Sequence, residues 1–331
     1  MSQRVRVLVT GGAGFIGTHL CEELLRRNFR ITVVDNFSTA PKSHLSFFLK
    51  HKSIRLHKRS ILDARLMKRL VSQCDIVYHL AAAVGVDFIL SHPVDALLTN
   101  VEGTANLLKW AAHYHKKVVI ASSSEVYGKG THSSMNERDD RILGPTTVSR
   151  WSYSEAKAID EFLALAYFKE TKLPVVIVRL FNTVGPRQVG RYGMVLPRFI
   201  QAALAGKPIP VYGDGSQIRS FTYVKDAVRA IVELSLEKKA EGEIFNVGNG
   251  EPVTIKDLAF AVKAATHSAS RIKYISYKKA YGSKAGDFED IRCRIPDISK
   301  IKKLIGYRPQ YDLEKIVHCT VKDAVQGGAE K

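Results

Sequence analysis

Cysteine, methionine and tryptophan are scarce, with four, four and two copies in 331 residues. Cys21, Cys74, Cys293 and Cys319 stand far apart and form neither a CxxC pair nor a Cys/His ligand spacing. That excludes a disulfide framework and a structural zinc site as the source of stability, and it suits reduced thiols in a cytoplasmic protein. No apolar run approaches the ~20 residues that a membrane-spanning helix needs. The short basic start lacks the apolar stretch of a secretory signal, so no membrane association is expected. Acidic residues are also in short supply, 32 against 50 lysines and arginines, for a net charge of +18. The surplus is scattered in small groups such as Lys238-Lys239, Lys278-Lys279 and Lys302-Lys303. Without a basic tail or an RNA-binding signature, this reads as a basic surface with an anion-attracting field and not as a nucleic-acid interface. His79, His113 and His115 show no metal-ligand spacing, and no metal is expected.

What the chain does contain is a regular alternation. VRVLVT (5–10) is a β-branched strand, IGTHLCEELLRR (16–27) an amphipathic helix and RITVVD (30–35) a second strand. CDIVYHLAA (74–82), KVVIASSS (117–124) and LPVVIVRLFN (173–182) are further apolar strands. NVEGTANLLKWAAHY (100–114) and the stretch 150–170 are helices between them. Strands apolar throughout, separated by helices, imply a parallel sheet covered on both faces. The expected fold is therefore α/β, a Rossmann-type doubly wound parallel sheet over 1–182 with a smaller C-terminal α/β substrate-binding lobe over 183–331. Gly and Pro cluster at 185–186, 206–215 and 248–252 in that lobe, among helices at 196–205, 225–238 and 255–266 and strands at 209–212 and 243–247. The stretch 225–247 is a candidate to return to the main sheet.

Between the first strand and first helix lies TGGAGFIG, with Gly11, Gly14 and Gly17 in GxxGxxG spacing. Glycines let backbone turn tightly and approach a pyrophosphate, and the helix behind them offers free N–H groups and a positive dipole end. Asp35 closes the second strand, where a carboxylate can accept bonds from both ribose hydroxyls and would repel a 2′-phosphate. The combination selects NAD over NADP. Tyr153 and Lys157 stand i,i+4 in a helical stretch and so share one face. A lysine ammonium beside a phenol favours the phenolate, giving a base for a sugar hydroxyl while the cofactor takes a hydride. Ser123 or Ser124, at the end of the preceding strand, can bond the same hydroxyl.

These residues, together with Asp35-Asn36, HLAA (79–82), Asn100 with VEGT, SSSEVYG (122–128), YSEAK (153–157), RLFNTVGPR (179–187), VYGDGSQIRSFTYVKD (211–226), FNVGNG (245–250) and RIPDISKIKKLIGYRP (294–309), resemble the extended short-chain dehydrogenase/reductase superfamily. More narrowly, the chain resembles the NAD-dependent epimerase/dehydratase family acting on nucleotide sugars. The resemblance implies that Gly11, Gly14, Phe15, Ile16, Gly17, Asp35 and Asn36 hold NAD, with Leu80, Ala81, Ala82 and Asn100 along its path. It implies Tyr153 as base, Lys157 as its tuner and ribose ligand, and Ser123 at the catalytic Ser/Thr position. Asn182, Arg219 and either Arg292 or Arg294 would meet the substrate diphosphate, and Leu196 and Tyr212 the nucleotide base. A homodimer through the helices at 100–114 and 150–170 is expected. One departure is visible: Ser60 stands where a strand-end acid commonly meets adenine.

The implied reaction begins by oxidising C4 of a nucleotide-linked sugar, with UDP as the expected nucleotide. Glu125 bears on the fate of the resulting ketone. Simple 4-epimerases usually carry a small or neutral residue there, whereas Ser-Ser-Glu, Arg150 and Arg219 resemble UDP-glucuronate decarboxylases. GPRQ (185–188) and GRYGMVLPRFI (190–200) look closer to 4-epimerases. The sequence balance favours a UDP-sugar 4-epimerase, with UDP-glucuronate decarboxylase next, then a dehydratase, which Ser124 in place of an acid disfavours. A non-catalytic dinucleotide-binding protein is the alternative of another class, disfavoured because both Tyr153 and Lys157 are present.

Overall fold

The computed structural model describes residues 4–328 apart from 42, 52, 86–88, 90, 131–133, 191–193, 283–285 and 287–288. Part of the 190–200 segment thus lies outside the described residues. Seven parallel strands form the central sheet: β1 (Arg6–Thr10), β2 (Arg30–Asp35), β3 (Ile54–Lys58), β4 (Ile76–His79), β5 (Lys117–Ser123), β6 (Val175–Leu180) and the strand Glu243–Val247. Their spatial order is 243–247, β6, β5, β4, β1, β2, β3. The order reverses beside β1, between β4 and β2, and that is where a crevice opens at the carboxyl ends of a doubly wound sheet.

Side chains alternate between the sheet's two faces. Val7, Val9, Ile31, Val33, Tyr78, Val176 and Val178 pack on one side with α1 (Phe15–Arg26) and the helix Val224–Leu236. Leu8, Val34, Val77, Val118, Ile120, Val175 and Ile177 pack on the other with the helices Ala64–Ser72, Pro93–His113 and Trp151–Thr171. Both faces are buried, so the strands read as continuous apolar runs. Strand Glu243–Val247 pairs with β6 in register from Glu243–Val176 to Val247–Leu180. Part of the chain beyond residue 182 therefore completes the main sheet. A separate apolar cluster of Leu196, Phe199, Ile200, Val211, Leu258, Val262, Ile316 and Val317 organises the rest of the C-terminal segment.

Two boundaries differ most from the sequence expectation. The strand expected to run to residue 82 ends at His79, and the following residues line the crevice. The helix expected from residue 100 starts at Pro93, because proline at the first helical position has no N–H to leave unsatisfied and Asp95 suits the first turn. Among the described residues, no helix is long and apolar enough to cross a membrane.

Candidate active site

A cleft of ≈ 710 Å³ runs along the carboxyl ends of the strands, from Asp35 past the glycine loop to the side chains of the C-terminal segment. The glycine loop forms its near wall. Gly11 has φ +70°, and a Cβ there would lie 2.6 Å from the backbone nitrogen of Ala81. A Cβ at Gly17 would run into the Gly11 carbonyl. The loop therefore presents bare backbone to the cleft. α1 begins behind it at Gly14 with no side-chain cap, which leaves its first N–H groups for an anion.

Asp35 lines the cleft and accepts hydrogen bonds from the backbone nitrogens of Ala13 (2.9 Å) and Phe37 (2.8 Å). Burial raises its pKa, and these N–H donors oppose the rise. The carboxylate, which can accept about four bonds, keeps capacity for a hydroxyl. The near wall fits a dinucleotide: bare backbone and free helix N–H groups suit a diphosphate, and a carboxylate with spare acceptor capacity suits the hydroxyls of a ribose. Phe15, Ile16, Asn36, Leu80, Ala81 and Ala82 also line the cleft. Asn100 does not. It is 2 % exposed, and its amide bonds the backbone nitrogen (2.7 Å) and oxygen (3.3 Å) of Ala83, so it fixes the loop that lines the cleft. Ser60 lines the cleft beside Arg59 and accepts a bond from the Leu62 backbone.

Tyr153 and Lys157 stand on the first two turns of helix Trp151–Thr171 and line the cleft. Lys157 favours the phenolate, as the i,i+4 spacing predicts, yet the Tyr153 pKa lies above the ordinary 10. Burial is the largest cause, and the carboxylates of Glu125 and Asp160 add to it, while Lys157 and the Ser123 hydroxyl oppose it. The expected acidified phenol is thus corrected for the protein alone: the lysine acts in the expected direction but is outweighed. Lys157 is 2 % exposed and pairs with Asp160 at 3.1 Å. Burial would lower its pKa, but Asp160 and Tyr153 hold it raised.

The far wall is made of charge. Glu125 meets Arg294 at 2.8 Å and Arg150 at 3.3 Å, and Arg219 meets Asp290 at 2.8 Å. All three arginines are at most 9 % exposed. Burial would raise the Glu125 pKa, but Arg294 and Arg150 hold it at about 2. Arg150 and Arg294 thus converge on one carboxylate, with the Arg219–Asp290 pair lining the same cleft. The Nε of Arg294 is buried and has no hydrogen-bond partner among the described residues. Of the two candidates offered by the sequence, Arg294 lines the cleft, while Arg292 stands exposed just before the strand Cys293–Arg294 and does not.

Ser123, Ser124, Asn182, Leu196 and Tyr212 all line the cleft. Ser123 accepts a bond from the Glu125 backbone, and Asn182 donates to the Ser220 carbonyl at 2.9 Å. Sequence reasoning missed the surroundings of Tyr212. The Arg198 guanidinium lies 4.1 Å from its ring centroid, Tyr281 packs edge-on at 5.7 Å, and Tyr277 bonds Asp290. The helical VLPRFI segment could have pointed to Arg198; nothing local marks Tyr277 or Asp290. His79 is buried between Thr10 and Thr104, and no candidate metal cluster occurs among the described residues.

A parallel sheet with a bare glycine loop at its crevice, and a tyrosine–lysine pair lining the same cleft, is the arrangement of an NAD-dependent enzyme. The family model described as "NAD dependent epimerase/dehydratase family" matches residues 7–248, and the chain belongs to that family. It is 43% identical over 318 residues to a UDP-N-acetyl-alpha-D-glucosaminuronate decarboxylase of Bacillus cytotoxicus, covering 96% of this chain and 97% of that one. It is 34% identical to UDP-glucuronic acid decarboxylase 1 of Danio rerio, covering 96% of this chain and 72% of the relative. Among solved structures, a UDP-glucuronic acid 4-epimerase from Bacillus cereus with UDP-glucuronic acid and NAD superposes with TM-score 0.86 at 29% identity, covering 97% and 99% of the two chains.

Proposed function

We propose that this enzyme decarboxylates a nucleotide-linked hexuronic acid, most simply UDP-glucuronate or its 2-acetamido counterpart, through a transient 4-ketone. The observation that carries the reading is the arginine-rich far wall, where the buried Arg150 and Arg294 converge on Glu125 beside the Arg219–Asp290 pair. A neutral hexose offers these guanidinium groups only its diphosphate, whereas a hexuronate also offers a carboxylate, for which Arg150 and Arg294 are available. The sequence alone leans towards 4-epimerisation; the two decarboxylase relatives, matched over 96% of this chain, move the weight to its alternative.

In this reading Tyr153 takes the proton of the C4 hydroxyl while Ser123 bonds the same oxygen, and Lys157 favours the phenolate. NAD, when bound, supplies a hydride acceptor for C4 and returns the same hydride. The ketone makes the sugar a β-keto acid. The C5–C6 bond breaks, CO₂ leaves, and its electron pair passes through C5 to the C4 oxygen as an enolate; C5 then takes a proton from water, the ketone re-forms, and Tyr153 returns its proton to the C4 oxygen as C4 is reduced again. Arg294 holds the C6 carboxylate. Glu125 fixes Arg294 and Arg150, and its own charge lies beside a carboxylate that departs as a neutral molecule. Asn182 and Arg219 are assigned to the diphosphate, and Leu196 and Tyr212 to the base.

Incubation with UDP-glucuronate, UDP-N-acetylglucosaminuronate, UDP-glucose and UDP-N-acetylglucosamine tests the reading by mass and NMR. Loss of CO₂ from a uronate supports it. An unchanged mass with a new anomeric signal returns the assignment to 4-epimerase. We further propose a homodimer, supported by exposed apolar residues on helices Pro93–His113 and Trp151–Thr171.

A further inference from the structure

Tyr153, Lys157 and Asp160 lie along one stripe of helix Trp151–Thr171, at i, i+4 and i+7. Tyr153 faces the cleft, and Asp160 is 0 % exposed beneath it. A fully buried carboxylate is costly unless it is paired. Asp160 pairs with Lys157 at 3.1 Å, its one ion pair among the described residues. The neighbouring acid, Glu161, is committed elsewhere: Arg179 bonds both its oxygens at 2.9 and 2.7 Å, and Ser122 donates to it. From the adjoining elements Asp160 faces the Thr104 hydroxyl, and behind Thr104 stands His79. Burial drives the His79 pKa down to about 3, so this imidazole is neutral and adds no cation. The charge of Lys157 is thus divided between the phenol on one side and Asp160 on the other.

We propose that Asp160 is a positioning residue that sets the working pH of Tyr153 by holding and partly neutralising Lys157. The proposal rests on the reading of Tyr153 as the base. Its signs follow from charge alone. Removing a negative charge near Tyr153 favours the phenolate, so the acid limb of the pH–rate profile moves down. Removing it beside Lys157 takes away the ammonium's counter-ion, so the alkaline limb also moves down. The other groups facing Tyr153, namely Glu125 with its arginines and the Ser123 hydroxyl, are unchanged by the substitution.

The test compares kcat/KM against pH for wild type, Asp160→Asn and Asp160→Glu. Asp160→Asn is expected to move both limbs to lower pH by about one unit, and Asp160→Glu to return them towards wild type. Phenolate absorbance of the NAD-loaded proteins without substrate, taken as the difference from Tyr153→Phe, should show the same downward shift of the tyrosine midpoint. A residue needed only for packing would lower the rate at every pH and leave limbs and midpoint in place; that result overturns the proposal. If Asp160→Asn does not fold, carbon-13 carboxyl spectra of the NAD-loaded wild type decide. The Asp160 resonance, assigned by its loss in Asp160→Glu, should inflect as Tyr153 ionises, and a flat resonance overturns the proposal. The two readings fail separately. Near-normal turnover by Tyr153→Phe removes the base itself, whereas an inactive Tyr153→Phe with unmoved Asp160→Asn limbs removes only the role of Asp160.

Discussion

The wall of the cleft that begins at β1 is made of backbone, and the wall opposite is made of side chains that neutralise one another. On the first, a contiguous loop from Gly11 to Gly17 and one carboxylate at the end of β2 do the work, all within 25 residues of sequence. On the second, Glu125, Arg150, Arg219, Asp290 and Arg294 come from four separate stretches of chain. Backbone sites tolerate little added volume. Charged sites tolerate volume but not an unpaired partner, because a buried ion left alone costs far more than the pair is worth. The two walls should therefore fail in different ways when altered, and between them stands the residue whose loss costs most.

Tyr153→Phe removes one oxygen and leaves both walls intact. Turnover is expected to fall by roughly 10³-fold or more, the scale of a general base, with NAD content and Tm unchanged by absorbance and calorimetry. Loss of NAD alongside activity would place the phenol in the backbone wall's function instead. The next largest effect belongs to that wall. Gly17→Ala drives a methyl into the Gly11 carbonyl, whereas a Cβ at Gly14 meets only that same oxygen, at 3.2 Å. Gly17→Ala should destabilise by about 1–3 kcal/mol and lose NAD, and Gly14→Ala should keep most of both. Equal losses would show that loop flexibility matters more than the space available.

The backbone wall was legible because its cause is local. Glycine spacing, a strand before it, a helix after it and Asp35 behind it are written in order along the chain. The Tyr153–Lys157 pair is legible for the same reason. Glu125 and Arg294 are visible as residue types, but that they form an ion pair depends on β5 and the strand Cys293–Arg294 arriving at one place, and no local pattern encodes that distance. Asn100 shows the limit from the other side: its motif is plain, yet its amide serves the Ala83 backbone and not the cleft. The net pKa of Tyr153 was not readable either, since it depends on burial and on Asp160, whose proximity to Lys157 matters only once the helix is packed against Thr104 and His79.

The charged wall makes its own prediction about pH. Burial would raise the Glu125 pKa, but its arginines hold it at about 2, below the ordinary 4.5. A carboxylate whose folded pKa is lowered stabilises the protein above its unfolded pKa, and that stabilisation disappears as pH falls through the folded value. The Tm advantage of wild type over Glu125→Gln should therefore be full above about pH 5 and shrink as the pH is lowered towards 2. A difference independent of pH would mean the pair contributes shape and not charge. Turnover of a uronate by Glu125→Gln should fall on the order of a hundredfold, while NAD binding on the other wall is unaffected.

The smallest effect on catalysis is expected farthest from both walls. Phe162 is 66% exposed and Ile159 40% on the outer face of the helix that carries Tyr153 and Lys157. Val94, Leu97 and Leu98 are exposed on the neighbouring helix Pro93–His113, which packs against it. These exposed apolar side chains on two packed helices are the surface that the proposed second copy of the chain would cover. A glutamate at Phe162 would place two like charges across a self-complementary face. Sedimentation of wild type is expected to give twice the chain mass, and of Phe162→Glu the mass of one chain. Because Tyr153 lies more than two helical turns away and faces the cleft, turnover per chain should stay within about twofold. Wild type sedimenting as a single chain would remove the dimer. A dimeric wild type whose Phe162→Glu form lost turnover along with its partner would instead tie the cleft to the interface, and the two walls could no longer be treated as a property of one chain.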